Sequence, residues 1–261
     1  MRKFILILIF VTTYSFSQDI ILGVVPQQSP LKLAKKWLQV TQYLKEEVGV
    51  NIIFKTETSI PKFEKELYAG NYDIAYMNPY HFIVANEKQK YEAFIRGKKN
   101  IVGILLSKDT NIDLSKEKLK GKTFLFPAPN AFAATLLTKF ELKNKFGFDV
   151  DKESKVLYVN SHDSVYKGIS RDIGYLGGGI IRTYNNFIDN DDKKNIHIVY
   201  KTEAYPSHPI AFHPRLSKEI INKIQKAFLN MPKKIKNSLS IKDFRITNTQ
   251  EFDVIKSIGV K

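Results

Sequence analysis

The stretch Ile20–Val48, "IILGVVPQQSPLKLAKKWLQVTQYLKEEV", decides how the chain is read. The apolar run Ile20–Val25 has the length of a buried strand and stops at Pro26, which has no N–H to give to a sheet ladder. From Leu31 the spacing changes. Leu31, Ala34, Leu38, Thr41, Leu44 and Val48 recur at three- and four-residue intervals, the signature of a helix. Trp37, with Leu33 and Val40 near it in spacing, is read as core packing on the same helix. Strand followed by helix is one βα unit.

The unit repeats. A strand over residues 50–56 leads through Ser59 and Pro61, a cap and a first-turn proline, into a helix over 62–69 that Gly70 stops. A third strand, 73–77, meets Asn78-Pro79 and a helix from Tyr80 to about Lys88. The pattern then restarts. Residues 101–107 read as a connecting strand, and 123–126 as a strand opening into "FPAPNAFAAT", Phe126–Thr135. A helix over 131–145 ends at Gly147, and a strand over 155–159 precedes a helix to Ser170 that Asp163 is placed to cap. A strand over 173–176 runs into Gly177-Gly178-Gly179. Strands over 196–201 and 210–213 and a helix from Ser217 to Asn230 complete the list. Alternating strands and helices predict an α/β protein of two lobes, each a doubly wound parallel sheet flanked by helices. Lobe 1 comprises residues 18–103 and 206–261 and lobe 2 residues 104–205, with the ligand cleft between them. No internal repeat argues for duplication.

The opening residues bear on location. Arg2 and Lys3 precede the apolar run Phe4–Val11, and Ser15-Phe16-Ser17 fits a signal-peptidase site. The run falls short of the roughly 20 apolar residues that span a bilayer. Residues 1–17 are therefore expected to be a signal peptide cleaved near Ser17, leaving a periplasmic protein, with a membrane anchor as the alternative. The chain has no cysteine, so neither a disulfide framework nor a lipid-attachment site is available. The net charge is +15 and stays basic without Arg2 and Lys3. The lysines are spread along amphipathic helices rather than clustered with aromatics, which speaks against nucleic acid as a partner.

In open parallel sheets, ligands sit at the carboxyl ends of strands. The turns there are Pro26–Ser29, residues 56–60, Tyr76-Met77-Asn78, residues 129–133, Ser161-His162-Asp163, Gly177–Gly179 and Pro206-Ser207-His208. "FPAPNAFAAT" poses a chemical question. The free N–H groups of a helix start suit an anion, yet the side chains are alanine and phenylalanine.

Five segments, "GVVP" (23–26), "AGNYDIAYMNPYHFIVA" (69–85), "LKGKTFLF" (119–126), "SHDSVYKGI" (161–169) and "YPSHPIAFHPRLSKEI" (205–220), resemble in order and spacing the periplasmic phosphate/phosphite/phosphonate-binding proteins of ABC transporters. The resemblance covers nearly the whole chain after the leader. It implies a two-lobed, type 2 periplasmic-binding-protein fold that closes on a small anion and delivers it to an inner-membrane ABC permease. Such a protein is not an enzyme, is a monomer, and needs neither cofactor nor metal. The alternative is a sensor subunit that uses the same closure to signal to a membrane receptor or histidine kinase.

The resemblance also marks a site. Family members typically read Ser-Thr-Ser-Gly where this chain has Ala131, Phe132, Ala133 and Ala134, following Asn130. The family histidine matches His162. An aromatic hydroxyl of the family falls on Met77, between Tyr76 and Asn78. Acidic residues that hold amino-phosphonates lie near Gly179 and His208, and neither is acidic here. Losing three hydroxyl donors, each worth about 1.5–3 kcal/mol to a charged oxygen, weakens an ordinary phosphonate grip by roughly 5 kcal/mol. The expected ligand-binding residues are thus Tyr76, Met77, Asn78, Asn130, Ala131, Phe132, Ala133, His162, Gly179 and His208, for a small anion or a less polar acid. A soft metal is the other reading, since methionine and imidazole suit such ions, but no residue pair has metal-site spacing. His81, His197 and His213 are expected to be structural. Ser161-His162-Asp163 cannot align as a catalytic triad within one turn. Gly177–Gly179 lacks the spacing and trailing acid of a dinucleotide motif and is expected to leave room for ligand or lobe closure.

Overall fold

A computed structural model of the chain describes residues 19–187 and 190–258. The leader and its cleavage site near Ser17 lie outside them. Two sheets organise the molecule. Its strands in chain order are β1 (Ile20–Val24), β2 (Ile52–Thr56), β3 (Ile74–Tyr76), β4 (Glu92–Gly97), β5 (Ile101–Ser107), β6 (Thr123–Phe126), β7 (Lys155–Tyr158), β8 (Leu176–Ile180), β9 (His197–Tyr205), β10 (Pro209–Phe212) and β11 (Phe244–Ile246). The first sheet runs β11-β4-β10-β3-β1-β2 and the second β7-β6-β8-β5-β9.

The βα units give the parallel ladders β2-β1-β3 and β7-β6-β8. The remaining pairings are antiparallel, so both sheets are mixed rather than wholly parallel. β10 and β5 follow strands of the opposite sheet without an intervening helix, and a direct crossover has no helix to return the chain in the same direction. The crossovers, Lys98–Asn100 and Pro206–His208, lie side by side, with the Ser207 hydroxyl donating to the Gly97 carbonyl at 3.0 Å.

Other boundaries moved for local reasons. The helix Pro30–Val48 buries Leu33, Trp37, Val40, Thr41, Leu44 and Val48. Leu31 and Leu38, expected on that face, are 70% and 55% exposed. At 100° per residue both stripes include Thr41, Leu44 and Val48, and the bulk of Trp37 decides which of them turns inward. β4 had no sequence assignment, because Arg96 interrupts its apolar run. The arginine is nonetheless buried, held by Glu251 Oε1 at 2.8 and 2.6 Å. The helix His162–Ser170 is capped by Ser161, whose Oγ accepts from the Ser164 amide at 3.1 Å. Asp163 instead sits in the first turn and pairs with Lys32 Nζ at 2.6 Å. Among the described residues no helix is long and apolar enough to cross a membrane.

The three glycines expected to end a strand lie inside β8. A Cβ on Gly178 would come within 2.0 Å of the Ala134 carbonyl oxygen, and one on Gly103 of β5 within 2.2 Å of that of Ala133. Their bare backbone lets the turn after β6 settle directly on the second sheet.

Candidate functional site

The turn after β6 is where the second sheet meets the first. Ala131 has extended backbone and no capping side chain, and residues Phe132–Leu136 form a single π-helical turn before the helix Leu137–Phe146. Such turns are uncommon and gather at functional sites. Thr135 closes the turn, its hydroxyl donating to the Ala128 carbonyl at 2.8 Å and its amide to the Ala131 carbonyl at 2.8 Å. The amides of Phe132, Ala133 and Ala134 precede that first reach-back and so have no acceptor within the turn. Side-chain hydroxyls are replaced by the Phe132 ring, 2% exposed and edge-on to Tyr205.

Facing this turn are the carboxyl ends of the first sheet. Asn78, after β3, caps the helix Pro79–Gln89 by accepting from the His81 amide at 2.8 Å, and its Nδ2 donates across the cleft to the Asn130 carbonyl at 3.0 Å. His208, before β10, stacks on Tyr76 with ring centroids 5.3 Å apart. From the second sheet comes His162, whose amide donates to the Gln27 carbonyl at 3.4 Å and whose buried Nδ1 has no partner among the described residues.

Arg182, just past β8, threads these groups together. Its guanidinium donates to the Tyr76 hydroxyl at 2.5 Å and to Gln27 Oε1 at 2.8 Å. With Oε1 so occupied, the Gln27 Nε2 donates to His208 Nε2 at 2.8 Å, which makes that imidazole nitrogen an acceptor. Electrostatics agree with a neutral ring. Burial, with the Arg182 charge second, pushes His162 down to about 3 and drives His208 well below its ordinary value. Both imidazoles are neutral, and the positive charge of the site resides on Arg182.

Asn78, Ala131, Phe132, Ala133, His162 and His208 converge, with Gln27, on a cavity of about 10 Å³, room for about one water. Tyr76 stands beside it, in the wall of an adjoining cavity. Asn130 contributes its carbonyl to the seam. Met77 is fully buried and lines neither cavity. Gly179 faces away: its Cβ position lies 2.6 Å from the Tyr166 hydroxyl, so the glycine serves helix packing. Of the histidines expected to be structural, His81 is buried on its helix 3.0 Å from Glu64 Oε1, while His197 is exposed on β9. Among the described residues no group of three His, Cys, Asp or Glu side chains is placed to hold a metal.

Gln27 and Arg182 are the residues that sequence reasoning left out of the site. Gln27 lies in the Pro26–Ser29 turn at the end of β1, so its position carried a signal. Arg182 was displaced by the reading of β8: ending that strand at its glycines put its carboxyl end several residues too early.

The family model described as the periplasmic substrate-binding protein of phosphonate ABC transporters matches residues 22–254. Among solved structures the chain is similar to a binding-protein component of an ABC phosphonate transporter from Pseudomonas aeruginosa, with a TM-score of 0.84 and 16% identity over 93% of this chain and 86% of that one. It is also similar to PhnD1 from Prochlorococcus marinus in complex with methylphosphonate, with a TM-score of 0.83 and 14% identity over 92% and 97% of the two chains. A protein from Xanthomonas citri bound to chloride gives a TM-score of 0.67 at 13% identity over 92% and 95%.

Proposed function

The chain belongs to the family of periplasmic substrate-binding proteins of phosphonate ABC transporters, and from that premise we propose that it captures a small anion of the phosphonate or related oxyanion class between two closing lobes. The family works with an ABC permease, which favours import over a sensor role, and its members bind rather than turn over their ligand. The boundary expected between residues 103 and 104 falls inside β5, which pairs wholly within the second sheet, so the lobes are taken as residues 19–100 with 206–258, and 101–205. The protein acts as a monomer after removal of a leader near Ser17.

One observation carries the assignment. The amides of Phe132–Ala134, which have no acceptor within their turn, and the neutral imidazoles of His162 and His208 all front one cavity, with a cation, Arg182, behind them. Amides and imidazole N–H groups are donors that suit an oxyanion, and the neutral histidines also tolerate a protonated oxygen of a monoanion. Tyr76, Met77, Asn130 and Gly179 support this contact set rather than join it: Tyr76 positions Arg182, Asn130 fastens the seam, and Met77 and Gly179 pack behind. A cavity of about 10 Å³ is far smaller than a phosphonate group, so entry requires separation of the lobes or movement of Phe132.

Calorimetric titration with methylphosphonate, phosphite and phosphate tests the reading. One-to-one binding of at least one of them is expected, without product formation. His162→Ala should weaken it tenfold or more, and Ala131→Asp, which sets a carboxylate at the amide cluster, should abolish it. Wild-type affinity in both variants would place the ligand elsewhere.

A further inference from the structure

A second, larger cavity of about 370 Å³ opens beside the first, against the two crossovers. The two share Ile101, Ile180 and His208 in their walls. This volume lies in the range of pockets that enclose small organic molecules, and its apolar floor, Ile101, Ile180 and Ile241, offers nothing to an inorganic ion. Arg182 forms part of its wall. Among the described residues no carboxylate lies within ion-pairing distance of that guanidinium, whose partners are a phenol and an amide, both neutral. A half-buried cation without a counter-ion is costly.

The surroundings show the same excess of positive charge. Lys36 Nζ is held by the neutral Gln28 Oε1 at 3.0 Å, and its pKa is lowered first by burial and next by Arg182, against an opposing pull from Asp163, which Lys32 already engages. Lys98, Lys99 and Lys242 stand exposed at the cavity mouth. The carboxylate among the lining residues, Asp243, is engaged by Lys236 at 2.7 Å.

We propose that the larger cavity holds the organic body of the ligand and that Arg182 recognises a second anionic group on it. The substrate class is then an acidic phosphonate with a carboxylate or similar anion at its far end, and neither a simple alkylphosphonate nor an aminophosphonate. This deepens the functional assignment above and rests on it for the phosphonate end. An ammonium group in this cavity would meet Arg182 and three lysines, with its nearest carboxylate already paired.

The test compares phosphonopropionate, propylphosphonate, aminopropylphosphonate and glutarate by calorimetry on the wild-type protein, Arg182→Gln and Arg182→Lys. Phosphonopropionate should bind at least about tenfold more tightly than propylphosphonate, and aminopropylphosphonate more weakly than either. Arg182→Gln should bring the two affinities within about twofold of each other, while Arg182→Lys retains part of the preference. Equal affinities for phosphonopropionate and propylphosphonate on the wild-type protein would overturn the inference and leave the phosphonate assignment standing. Arginine-dependent binding of glutarate, with no phosphonate bound, would uphold the role of Arg182 and remove the phosphonate assignment instead. A preference for phosphonopropionate that survives in Arg182→Gln would also overturn it.

Discussion

Asn78 ties the two sheets together: one end of its amide caps the helix Pro79–Gln89 and the other donates to the carbonyl of Asn130 in the opposing turn, 3.0 Å away. The two ends can be separated by substitution. Asn78→Asp keeps the capping oxygen, and Asp caps as well as Asn, but it turns the cross-cleft donor into an acceptor facing a carbonyl. Because Asn78 is buried and its Nδ2 also lies 3.1 Å from His81 Nε2, stability in denaturant should fall by about 1–3 kcal/mol, and small-angle scattering should show an opened molecule in which the carboxylate reaches water. Asn78→Ala should lose about 1 kcal/mol of cap as well. A compact Asn78→Asp protein would show that this contact does not fasten the cleft.

The glycines of the second sheet make a different kind of prediction. The Ala134 carbonyl lies where a side chain on Gly178 would begin, and the Phe126 ring lies 2.5 Å from the same point. Both neighbours are themselves buried, so neither yields easily. Gly178→Ala should therefore cost about 3 kcal/mol, the upper range for overpacking a tight core, and Gly103→Ala a similar amount. Urea unfolding measures both. A loss below about 1 kcal/mol in each would mean that the π-helical turn does not rest on this sheet.

What could be read from sequence follows the range of the forces involved. The βα units were legible because periodicity, proline stops and helix caps such as Ser59 and Ser217 act within a few residues. The antiparallel strands β4 and β10 depend on pairing between distant segments, and the direction of a strand leaves no local mark. The site divides the same way. Asn78, the 131–133 turn, His162 and His208 sit at strand ends, where the rule for open sheets places ligands. Arg182 acquires its role only through Gln27 and Tyr76, more than a hundred residues away in sequence. The glycine run was misread because close packing and a turn both call for glycine.

Phe132 stands where a hydroxyl-bearing residue would suit an oxyanion. Its ring is buried edge-on to Tyr205, and the residue lines the small cavity that the turn fronts. Phe132→Thr trades packing for a donor. It should cost roughly 3 kcal/mol of stability from the lost ring and raise methylphosphonate affinity about tenfold, the value of one hydrogen bond to a charged oxygen. Thermal unfolding and calorimetry on the same sample separate the two effects. Unchanged or weaker affinity in a folded Phe132→Thr protein would mean that the amides of this turn do not face the ligand.

Acid should loosen the molecule before its carboxylates titrate. His162 is neutral in the fold, with its pKa pushed from 6.5 to about 3 by burial and by Arg182, and His208 is lowered by the same two influences, with His81 and His162 adding to them. The unfolded chain therefore takes up these protons at a higher pH than the folded one does. Stability is intact above about pH 6.5 and is lost as the pH falls from there toward 3. His162 alone should contribute a loss of about 2 kcal/mol by pH 5. Carboxylates held low by their partners, such as Glu251, act in the same direction only below about 4.5, near the ordinary glutamate value. The interval from pH 7 to 5 thus isolates the histidines, to which the partly exposed His213 adds a smaller share. Denaturant unfolding at each pH should give a falling curve for the wild type and a shallower one for His162→Gln, whose side chain does not titrate. Parallel curves would mean that the imidazole reaches solvent in the folded protein and that the site is neither dry nor neutral.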